Sequence, residues 1–548
     1  MAATRARLSS IGALSAGVWL AVLLHLPALA QAPSPGVVAP GFPVVTGFSG
    51  TRMIAPPPGV DPADKATIDL DGPSLRVIDT SNMGGPPLAQ AVPAPKPLTI
   101  SAGLIGQVLA ITLDDAVPPN IYAAATSAYG LPIVVSALNG SPTHARKGAA
   151  NARFMPGLFG PDTAGGGPGS IWRIDGRTGA VSLFVNVLLD GVPNSGPALG
   201  GMAFDRASRQ IFVADRDTGM IHRFDLAGRE TGRFDHGAQA LPAIGLPPLR
   251  FDPGKRLDIG TPAFDSESAP TWSYAPPTRR VFGLAINRGR LYYAVAAGSR
   301  IWSVTIGADG AFGADARVEY AVPSGPVPGT EISKIIFDDA GDMLLAERGG
   351  PTGAYDFGAL TAQNSGRVLR LRAQQPGADG TPFFWAPVGD YAIGFPPIFQ
   401  NGDGGIAIGY GYEPSGLAMA GACGGTLWTT GSQLRISPDL AIAQRLAPGG
   451  PFPIDGLQGN AVSLLRPQNT PPFSSYFIDF DDRTDVSGTP GHMGDVIVWR
   501  TCAPARGLVI AEYIPLILEL GFGFVDVGCR ADEILLDGRC DKPVCESP

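Results

Sequence analysis

The chain is poor in cysteine, lysine and histidine, and it lacks the motifs that mark many enzymes. Its 548 residues include five cysteines, five histidines and six lysines. It has no G-x-S-x-G nucleophile elbow, no H-E-x-x-H, no C-x-x-C, no Walker loop and no G-x-G-x-x-G turn between a strand and a helix. No motif therefore points to a nucleotide, to zinc or to a serine nucleophile.

Basic charge and long apolar runs are scarce as well. Without Arg5 and Arg7, which precede the expected mature chain, 38 of the 40 basic residues remain against 48 acidic ones. A nucleic-acid partner needs a basic surface, so this balance argues against one. The long apolar stretch at 508–527 contains two glutamates, an aspartate and a proline. It does not suit a bilayer, and we expect no membrane span after signal cleavage.

The N terminus has the pattern of a secretory signal peptide. Arg5 and Arg7 give a positive start, residues 11–29 are apolar, and residues 28–30 (ALA) form a small-x-small cleavage pattern. We expect cleavage after Ala30 and a mature protein in the periplasm or outside the cell. An uncleaved anchor helix is the alternative, although the apolar stretch is short for a span.

Glycine and proline are abundant, with 74 and 54 residues, while apolar residues make up 45% of the chain. A core is therefore available, and the turn-forming residues predict many short strands joined by tight connections. No long stretch combines helical periodicity with cap signals. The sequence predicts an all-β fold.

One four-stranded unit repeats along the chain. Two short apolar runs within 211–225 flank the charged turn 215–219, which is typical of a β-hairpin. A strand before it (GGMAFD) and one after it (230–234) complete the unit. Similar units start near residues 106, 281 and 332, and weaker ones span 405–448 and 460–502.

The last unit lacks a fourth strand, while residues 66–81 (ATIDLDGPSLRVIDTS) have strand alternation. We expect this segment to pair with residues 495–500 and to close a ring of six sheets, so that no sheet keeps a free edge. The expected domains are a signal peptide (1–30), an N-terminal extension with the closing strand (31–97), a six-bladed β-propeller (98–506) and a C-terminal tail with three cysteines (507–548).

The segment GGMAFDRASRQIFVADRDTGMIHRFDLAG, within residues 195–236, resembles a blade of the NHL type and, more broadly, the six-bladed propellers that include gluconolactonase-like enzymes. Residues 281–348 are similar to a lesser degree. The resemblance implies that ligands bind on the face formed by the connections between blades and between the second and third strands. Long insertions at 130–168, 349–365 and 483–494 fall on this face.

Polar residues on the expected binding face are the candidate site. The candidates for ligand contact, from strand ends and connections, are Tyr129, Asn194, His236, Glu347, Arg348, Asn460 and His492. The candidates for metal binding are Asp215, Asp217, Asp481, Asp482 and Asp485. Converging carboxylates repel one another unless a cation lies among them, and Ca²⁺ is the cation considered. The resemblance also implies a divalent ion, which gluconolactonase-like enzymes hold with Glu, Asn and Asp from different blades.

Each candidate also has a purely structural interpretation. Asp215 and Asp217 lie in a turn where aspartate bonds nearby backbone, and Glu347 has Arg348 beside it as an ion-pair partner. The acidic loop 481–485 is equally typical of a solvated loop with its own arginine. His222, between apolar neighbours on a strand, is interpreted as a structural histidine.

Export places the five cysteines in an oxidising compartment, where pairing is expected, although five is an odd number. Cys529 and Cys540 are close enough in sequence to close a local loop. The pairing of Cys423, Cys502 and Cys545 stays open.

Two classes of function follow. The first is an exported binding or scaffold propeller that recognises a glycan, a small molecule or a protein on its insert-rich acidic face. The second is a Ca²⁺-dependent lactonase or esterase-type hydrolase of the gluconolactonase-like kind, in which the aspartates hold the ion that polarises a carbonyl. A quinoprotein-like oxidoreductase is a weaker third. The sequence favours binding over hydrolysis and leaves open whether the protein is an enzyme.

Overall fold

The computed structural model describes residues 36–136, 140, 142–195, 199–272, 275–325, 327–353, 355–376, 383–483, 489–501, 534–536 and 539–541. The chain divides into two units, Met1–Pro35 and Gly36–Pro548, and all described residues belong to the second. The expected signal peptide, Asp485, Cys502 and most of the C-terminal tail lie outside the described residues. Within that tail, Ile534–Leu536 pairs with Arg539–Asp541.

Six antiparallel sheets of four strands each occur among the described residues, and the all-β prediction is confirmed. We number five of them along the chain and call the sixth the closing sheet. Starting from the strand that we call innermost, the strands are Val108–Leu113, Ile121–Ala125, Ser170–Ile174 and Val181–Asn186 in the first sheet; Leu199–Asp205, Gln210–Asp215, Met220–Asp225 and Glu230–Asp235 in the second; Val281–Asn287, Arg290–Val295, Arg300–Thr305 and Arg317–Ala321 in the third; Glu331–Phe337, Met343–Arg348, Val368–Gln374 and Phe384–Asp390 in the fourth; Gly402–Tyr412, Ala418–Gly431, Gly456–Ala461 and Ser475–Asp479 in the fifth; and Met493–Val498, Pro43–Gly47, Pro73–Val77 and Leu98–Ser101 in the closing sheet.

The innermost strands contact one another in chain order, and Met493–Val498 of the closing sheet also contacts Val108–Leu113 of the first. This cycle of contacts encloses a space that we call the central channel. Apolar clusters lie between neighbouring sheets; Ile301, Ile332 and Leu345, for example, share the cluster of the third and fourth sheets. The core is therefore spread over the contacts between sheets.

The hairpin of the second sheet shows how local chemistry sets these elements. Gln210–Asp215 pairs with Met220–Asp225, as the sequence predicts. In the turn between them Gly219 has a φ of +71°, a backbone conformation that favours glycine. The Asp215 carboxylate accepts hydrogen bonds from the Asp217 N–H and the Thr218 hydroxyl, which holds the turn.

The predicted partner of the C-terminal strand is wrong. Pro43–Gly47, and not a strand of 66–81, pairs with Met493–Val498, with Val45 opposite Val496. Pro73–Val77, from the predicted segment, lies one strand further out. Pro43–Gly47 is buried at all five positions. It is therefore a short strand buried on both faces, without the alternation that identifies a half-exposed strand.

The predicted boundary between the last two units is also wrong. The unit expected at 405–448 includes AIAQRLAP as a strand, but Leu440–Leu446 is a helix. Asp439 caps it by accepting hydrogen bonds from the N–H groups of Ala441 and Ile442. Ser475–Asp479, from the unit expected at 460–502, and Gly456–Ala461, which overlaps that unit in its last two residues, complete the fifth sheet instead.

The remaining elements are short. The other helical segments are Ala102–Ile105 and Leu241–Ala243 (α), Pro62–Lys65, Asp162–Ala164, Pro253–Lys255, Ala269–Trp272 and Ala447–Gly449 (3₁₀), and His236–Ala240 (π). Minor sheets join Thr51–Met53 to Ala66–Ile68, Ile133–Ser136 to Pro142–Ala145 and Arg153–Phe154, and Leu188–Leu189 to Val192–Pro193. Within the described ranges, no helix is long and apolar enough to cross a membrane.

Candidate functional site

The turn 215–219 lies at the N-terminal end of an innermost strand, because Asp215 pairs with Leu199. Asp215 accepts a hydrogen bond from Asn194 Nδ2 at 2.8 Å, so two of the predicted site residues are brought together. Both are buried. His222 Nε2 lies 3.7 Å from an Asp215 oxygen, and this histidine is fully buried in the sheet. Asp215 is therefore surrounded by groups that hold the turn and the neighbouring connection.

Asp217 has a different environment. Its Oδ2 accepts hydrogen bonds from the backbone N–H and the hydroxyl of Ser195, at 2.9 and 2.8 Å. Its Oδ1 is buried and has no hydrogen-bond partner in the described part of the chain. Burial and, next, repulsion by Asp215 raise the pKa of Asp217 to about 6.

Arg216, between these two aspartates, is part of a buried ion-pair group. Its Nη1 donates to Glu331 Oε2 at 2.5 Å, and Arg280 binds the other Glu331 oxygen at 2.7 Å. Burial alone would raise the pKa of Glu331, but the two guanidinium groups outweigh it and lower that pKa. Glu331 therefore stays ionised and links the second, third and fourth sheets.

Tyr129 and Arg348, two predicted site residues from different sheets, meet at this end of the channel. The Arg348 guanidinium lies over the Tyr129 ring, 4.1 Å from its centroid, and the guanidinium of Arg216 lies 5.8 Å from the same centroid. Tyr129 is 3% exposed and Arg348 is 2% exposed. Burial raises the pKa of Tyr129 to about 12, so its hydroxyl stays protonated.

Glu347 and His236 have partners of their own. Glu347 forms a two-pronged ion pair with Arg367, with both N···O distances at 2.6 Å. His236 is fully buried, and its Nδ1 lies 3.1 Å from the Tyr293 hydroxyl. Burial and, next, the charge of Arg279 lower the pKa of His236 to about 3. The imidazole is therefore neutral and fixed in place.

Asn460 and His492 are buried too. The sequence predicts Asn460 in a connection between blades. The residue lies instead within the strand Gly456–Ala461, opposite Leu427. His492 Nδ1 lies 3.1 Å from the Thr489 carbonyl oxygen. Three long connections, 126–169, 236–280 and 349–367, lie at the same strand ends as the turn 215–219. Most of the residues predicted to contact a ligand are thus buried near these connections and form hydrogen bonds or ion pairs with neighbouring residues.

Asp482 ties the end of the fifth sheet to the N-terminal segment, whereas Asp481 makes a local contact. Asp482 binds Arg76 at 2.5 Å and also contacts Lys96. Burial works against ionisation of Asp482, but these two cations outweigh it and lower its pKa. Asp481 accepts a hydrogen bond from the Arg483 N–H at 3.0 Å. These contacts explain the acidic loop without a metal ion.

The described residues contain no group of three or more His, Cys, Asp or Glu side chains suited to hold a metal ion. Asp215 and Asp217 are accordingly not joined by Asp481 and Asp482 in such a group. Asp485, the fifth predicted ligand, lies outside the described residues. The metal site predicted at these aspartates therefore stays a prediction.

A cavity of about 320 Å³ lies at the opposite end of the central channel. All six innermost strands line it with their C-terminal halves, and we call it the channel cavity. Its lining segments are 112–114, 202–204, 284–286, 334–337, 406–408 and 496–500, together with Arg206. This volume is typical of a small-molecule site, and polar and apolar groups share its wall about equally.

A buried ion pair marks the inner side of the channel cavity. Lys334 Nζ donates to Asp495 Oδ2 at 2.7 Å, and each residue is 6% exposed. The Asp495 carboxylate also accepts from the N–H groups of Ile111 and Val496. Burial raises the pKa of Asp495, and Lys334 opposes that rise. The pair provides a fixed polar point in this wall.

Charged side chains line the channel cavity, but Lys334 is ion-paired with Asp495 and Arg500 with Asp339. Arg206, Lys334 and Arg500 line it, against one acid, Asp114. The Asp114 carboxylate already accepts hydrogen bonds from the backbone and side-chain N–H groups of Asn120. Arg206 is exposed and has no ion pair within the described ranges. A ligand at this mouth therefore meets an unpaired guanidinium.

The sequence analysis missed the channel cavity. One signal was available, because Lys334 interrupts the apolar strand ISKIIF and a buried lysine is unusual without a partner. Asp495 similarly precedes the apolar run VIVW. The two residues are 161 positions apart, so their pairing emerges only from the closed cycle of sheets.

No protein-family model matches the chain, and no curated protein is significantly similar to it in sequence. Solved structures are similar at low identity. A chain of a nidogen/laminin complex is 11% identical, covers 84% of this chain and 100% of its own, and has a TM-score of 0.36. A putative 6-phosphogluconolactonase from Bacteroides fragilis is 11% identical, with coverages of 83% and 97% and a TM-score of 0.32. The calcium-binding protein regucalcin from Agrobacterium tumefaciens is 12% identical, with coverages of 63% and 87% and a TM-score of 0.27.

A putative 6-phosphogluconolactonase and regucalcin are thus among the structures that are similar to this chain, in line with the resemblance expected from the sequence. Similarity this distant carries no information on ligand or activity.

Proposed function

We propose that this protein is an exported, non-catalytic binding protein, and that its six four-stranded sheets are the blades of a six-bladed β-propeller. In this proposal the channel cavity holds a small molecule with an apolar body and a negatively charged group. The support for the fold is the closed cycle of contacts among the six innermost strands. Export is supported by the signal-like N terminus.

The channel cavity is the observation that carries the proposed function. Its walls come from six different sheets, so they are rigid and largely pre-formed, as small-molecule sites usually are. The apolar side chains favour an apolar ligand body. Arg206 at the rim, which forms no ion pair within the described ranges, favours a carboxylate or another anionic group there.

Ligands that share one apolar chain and differ in charge test this proposal. We expect octanoate to bind the purified mature protein about fivefold or more tightly than octanol, and octylammonium to bind more weakly than either, in calorimetric titrations at neutral pH. Arg206→Glu should reduce octanoate binding to the level of octanol. Arg250→Glu makes the same change at an exposed residue that does not line the cavity, and it should leave binding unchanged.

Equal affinities for the three compounds would overturn the anionic class of ligand. If none of them binds at millimolar concentration, the channel cavity is not an amphiphile site and the proposed function fails. Loss of binding in both arginine variants would show a general effect of surface charge, which also contradicts a specific site.

The calcium-dependent hydrolase is tested separately. Because no suitable cluster exists among the described residues, we expect the same melting temperature in millimolar Ca²⁺ and in excess chelator. A rise with Ca²⁺ that disappears in the Asp481→Asn, Asp482→Asn double variant would instead favour the hydrolase, by mass action on the folded state.

A further inference from the structure

A second, much smaller cavity lies at the other end of the channel, beside Tyr129 and Arg348. Its volume is about 30 Å³, which is enough for one water molecule or one halide ion. Most of its wall is apolar, with Phe48, Val108 and Leu158 among the contributing side chains. We call it the inner cavity.

Four polar side chains line the inner cavity, and two of them are already satisfied. Gln107 bonds the backbone N–H and the hydroxyl of Ser49, and the Thr126 hydroxyl donates to the Leu199 carbonyl oxygen. The other two are Tyr129 and Arg348. The Tyr129 hydroxyl and the Arg348 Nε are both buried, and neither has a hydrogen-bond partner of good geometry within the described part of the chain, although Tyr129 and the guanidinium interact. The Nε donates and the hydroxyl can donate, so an acceptor in this cavity would satisfy both groups.

The Asp403 carboxylate acts on the Arg348 charge, but it does not form an ion pair with the guanidinium. The Arg348 Nη1 donates to the backbone carbonyls of Asp403 and Met493 at 2.5 Å, and its Nη2 donates to that of Gly491. No carboxylate forms an ion pair with it among the described residues. The Asp403 carboxylate is held by the Ser432 hydroxyl, and burial raises the pKa of this acid. A buried cation without an ion-paired carboxylate is costly.

We propose that the inner cavity binds a single small monovalent anion of the halide class, held by the Tyr129 hydroxyl and the Arg348 guanidinium. An anion accepts hydrogen bonds from both donors and offsets the guanidinium charge, whereas a water molecule does only the first. The apolar remainder of the wall favours a weakly hydrated ion such as chloride or bromide. This site is separate from the channel cavity and does not depend on the ligand proposed there.

Thermal unfolding of the mature protein in different sodium salts tests the proposal. At constant ionic strength, we expect chloride and bromide to raise the melting temperature in a saturable way relative to gluconate, which is too large for the cavity. Tyr129→Phe keeps the ring and removes one donor, and it should weaken the apparent halide affinity about tenfold or more. Tyr293→Phe removes the hydroxyl of another fully buried tyrosine, which bonds His236, and should leave the halide affinity unchanged.

Two results would overturn the proposal. Equal melting temperatures in chloride and gluconate would mean that the cavity holds water only. An undiminished halide response in Tyr129→Phe would place the anion elsewhere. Arg206→Glu, the variant of the channel cavity, should keep the full halide response, so the two proposals fail or stand independently.

Discussion

Asp215 and Asp217 lie two residues apart in one turn, but only Asp217 keeps a buried oxygen without a partner. Its folded-state pKa of about 6 lies above the usual carboxyl value of 3.8, first because of burial and then because of Asp215. A raised carboxyl pKa means that the folded state binds the proton more tightly than the unfolded state. The free energy of unfolding therefore falls as the pH rises from about 4 through 6.

Asp217→Asn removes this charge, so we expect it to stabilise the protein at pH 7.5 by roughly 1–3 kcal/mol. The gain should be smaller at pH 5 and near zero at pH 4, as followed by thermal unfolding. Asp225→Asn is the matched control in the turn at the other end of the same strand. Although burial opposes it, hydrogen bonds from Arg229 lower the pKa of Asp225, so that substitution should bring no gain. Destabilisation by Asp217→Asn at every pH would contradict the argument.

For single residues of the candidate site, the sequence predicts a position at the end of a strand but not the residues that they contact. Tyr129 and Arg348 follow or end strands, and the sequence analysis placed both at the expected face. The partners were not predictable, because Arg348 bonds the carbonyls of residues 403, 491 and 493, which are distant in sequence. Glu331 was missed for the same reason: its two arginines belong to separate connections.

Among the elements, Pro43–Gly47 is the strand on which closure depends. It lies between Met493–Val498 and Pro73–Val77, and both Val44 and Val45 are fully buried. Val45→Asp places a charge between two sheets, and we expect it to lower the free energy of unfolding by several kcal/mol or to cause aggregation. Met53→Asp, at a residue that is 56% exposed nearby, should have little effect. Urea unfolding of both variants checks this, and equal stability would refute the closing role.

A second prediction at this scale concerns the long hairpin of the fifth sheet. Cys423 is disulfide-bonded and lies opposite Tyr410, whose hydroxyl is 3.1 Å from the Thr501 hydroxyl. Since Cys502 is the next residue along the chain, we expect it to be the partner. Peptide mapping of the unreduced mature protein should recover a peptide that joins these two cysteines. Recovery of Cys423 joined to Cys529, Cys540 or Cys545 would contradict this pairing.

The elements that the sequence predicts well are those with alternation and a turn of aspartate and glycine, such as the second sheet. The wrong assignments share a physical cause. Pro43–Gly47 is buried on both faces and is too short to show a period, while Leu440–Leu446 owes its helical state to a capping residue outside the apolar pattern. An apolar period in the sequence identifies an element that has one buried and one exposed face. Neither of these two segments shows such a period.

At the scale of the whole molecule, export predicts a defined start of the mature chain. We expect protein recovered from the periplasm or the medium to begin at Gln31, as read by N-terminal sequencing and intact mass. Ala30→Trp replaces the small residue at the cleavage position with a large one and should leave the precursor uncleaved. A mature start beyond Pro43 would remove part of the strand that pairs with Met493–Val498, so it would contradict both the cleavage site and the closing sheet.

The mixed origin of the closing sheet sets the order in which the chain can fold. Its three N-terminal strands end at Ser101, whereas the strand that they need begins at Met493. A ribosome takes roughly 20–80 s to make the roughly 390 residues between them, at synthesis rates of about 5–20 residues per second. During that time the edge of Pro43–Gly47 that pairs with Met493–Val498 has no partner, and the closing sheet cannot form. A chain built in this way stays open until it is nearly complete, which would suit the export proposed above, and it gives chaperones a long interval in which to bind the waiting strands.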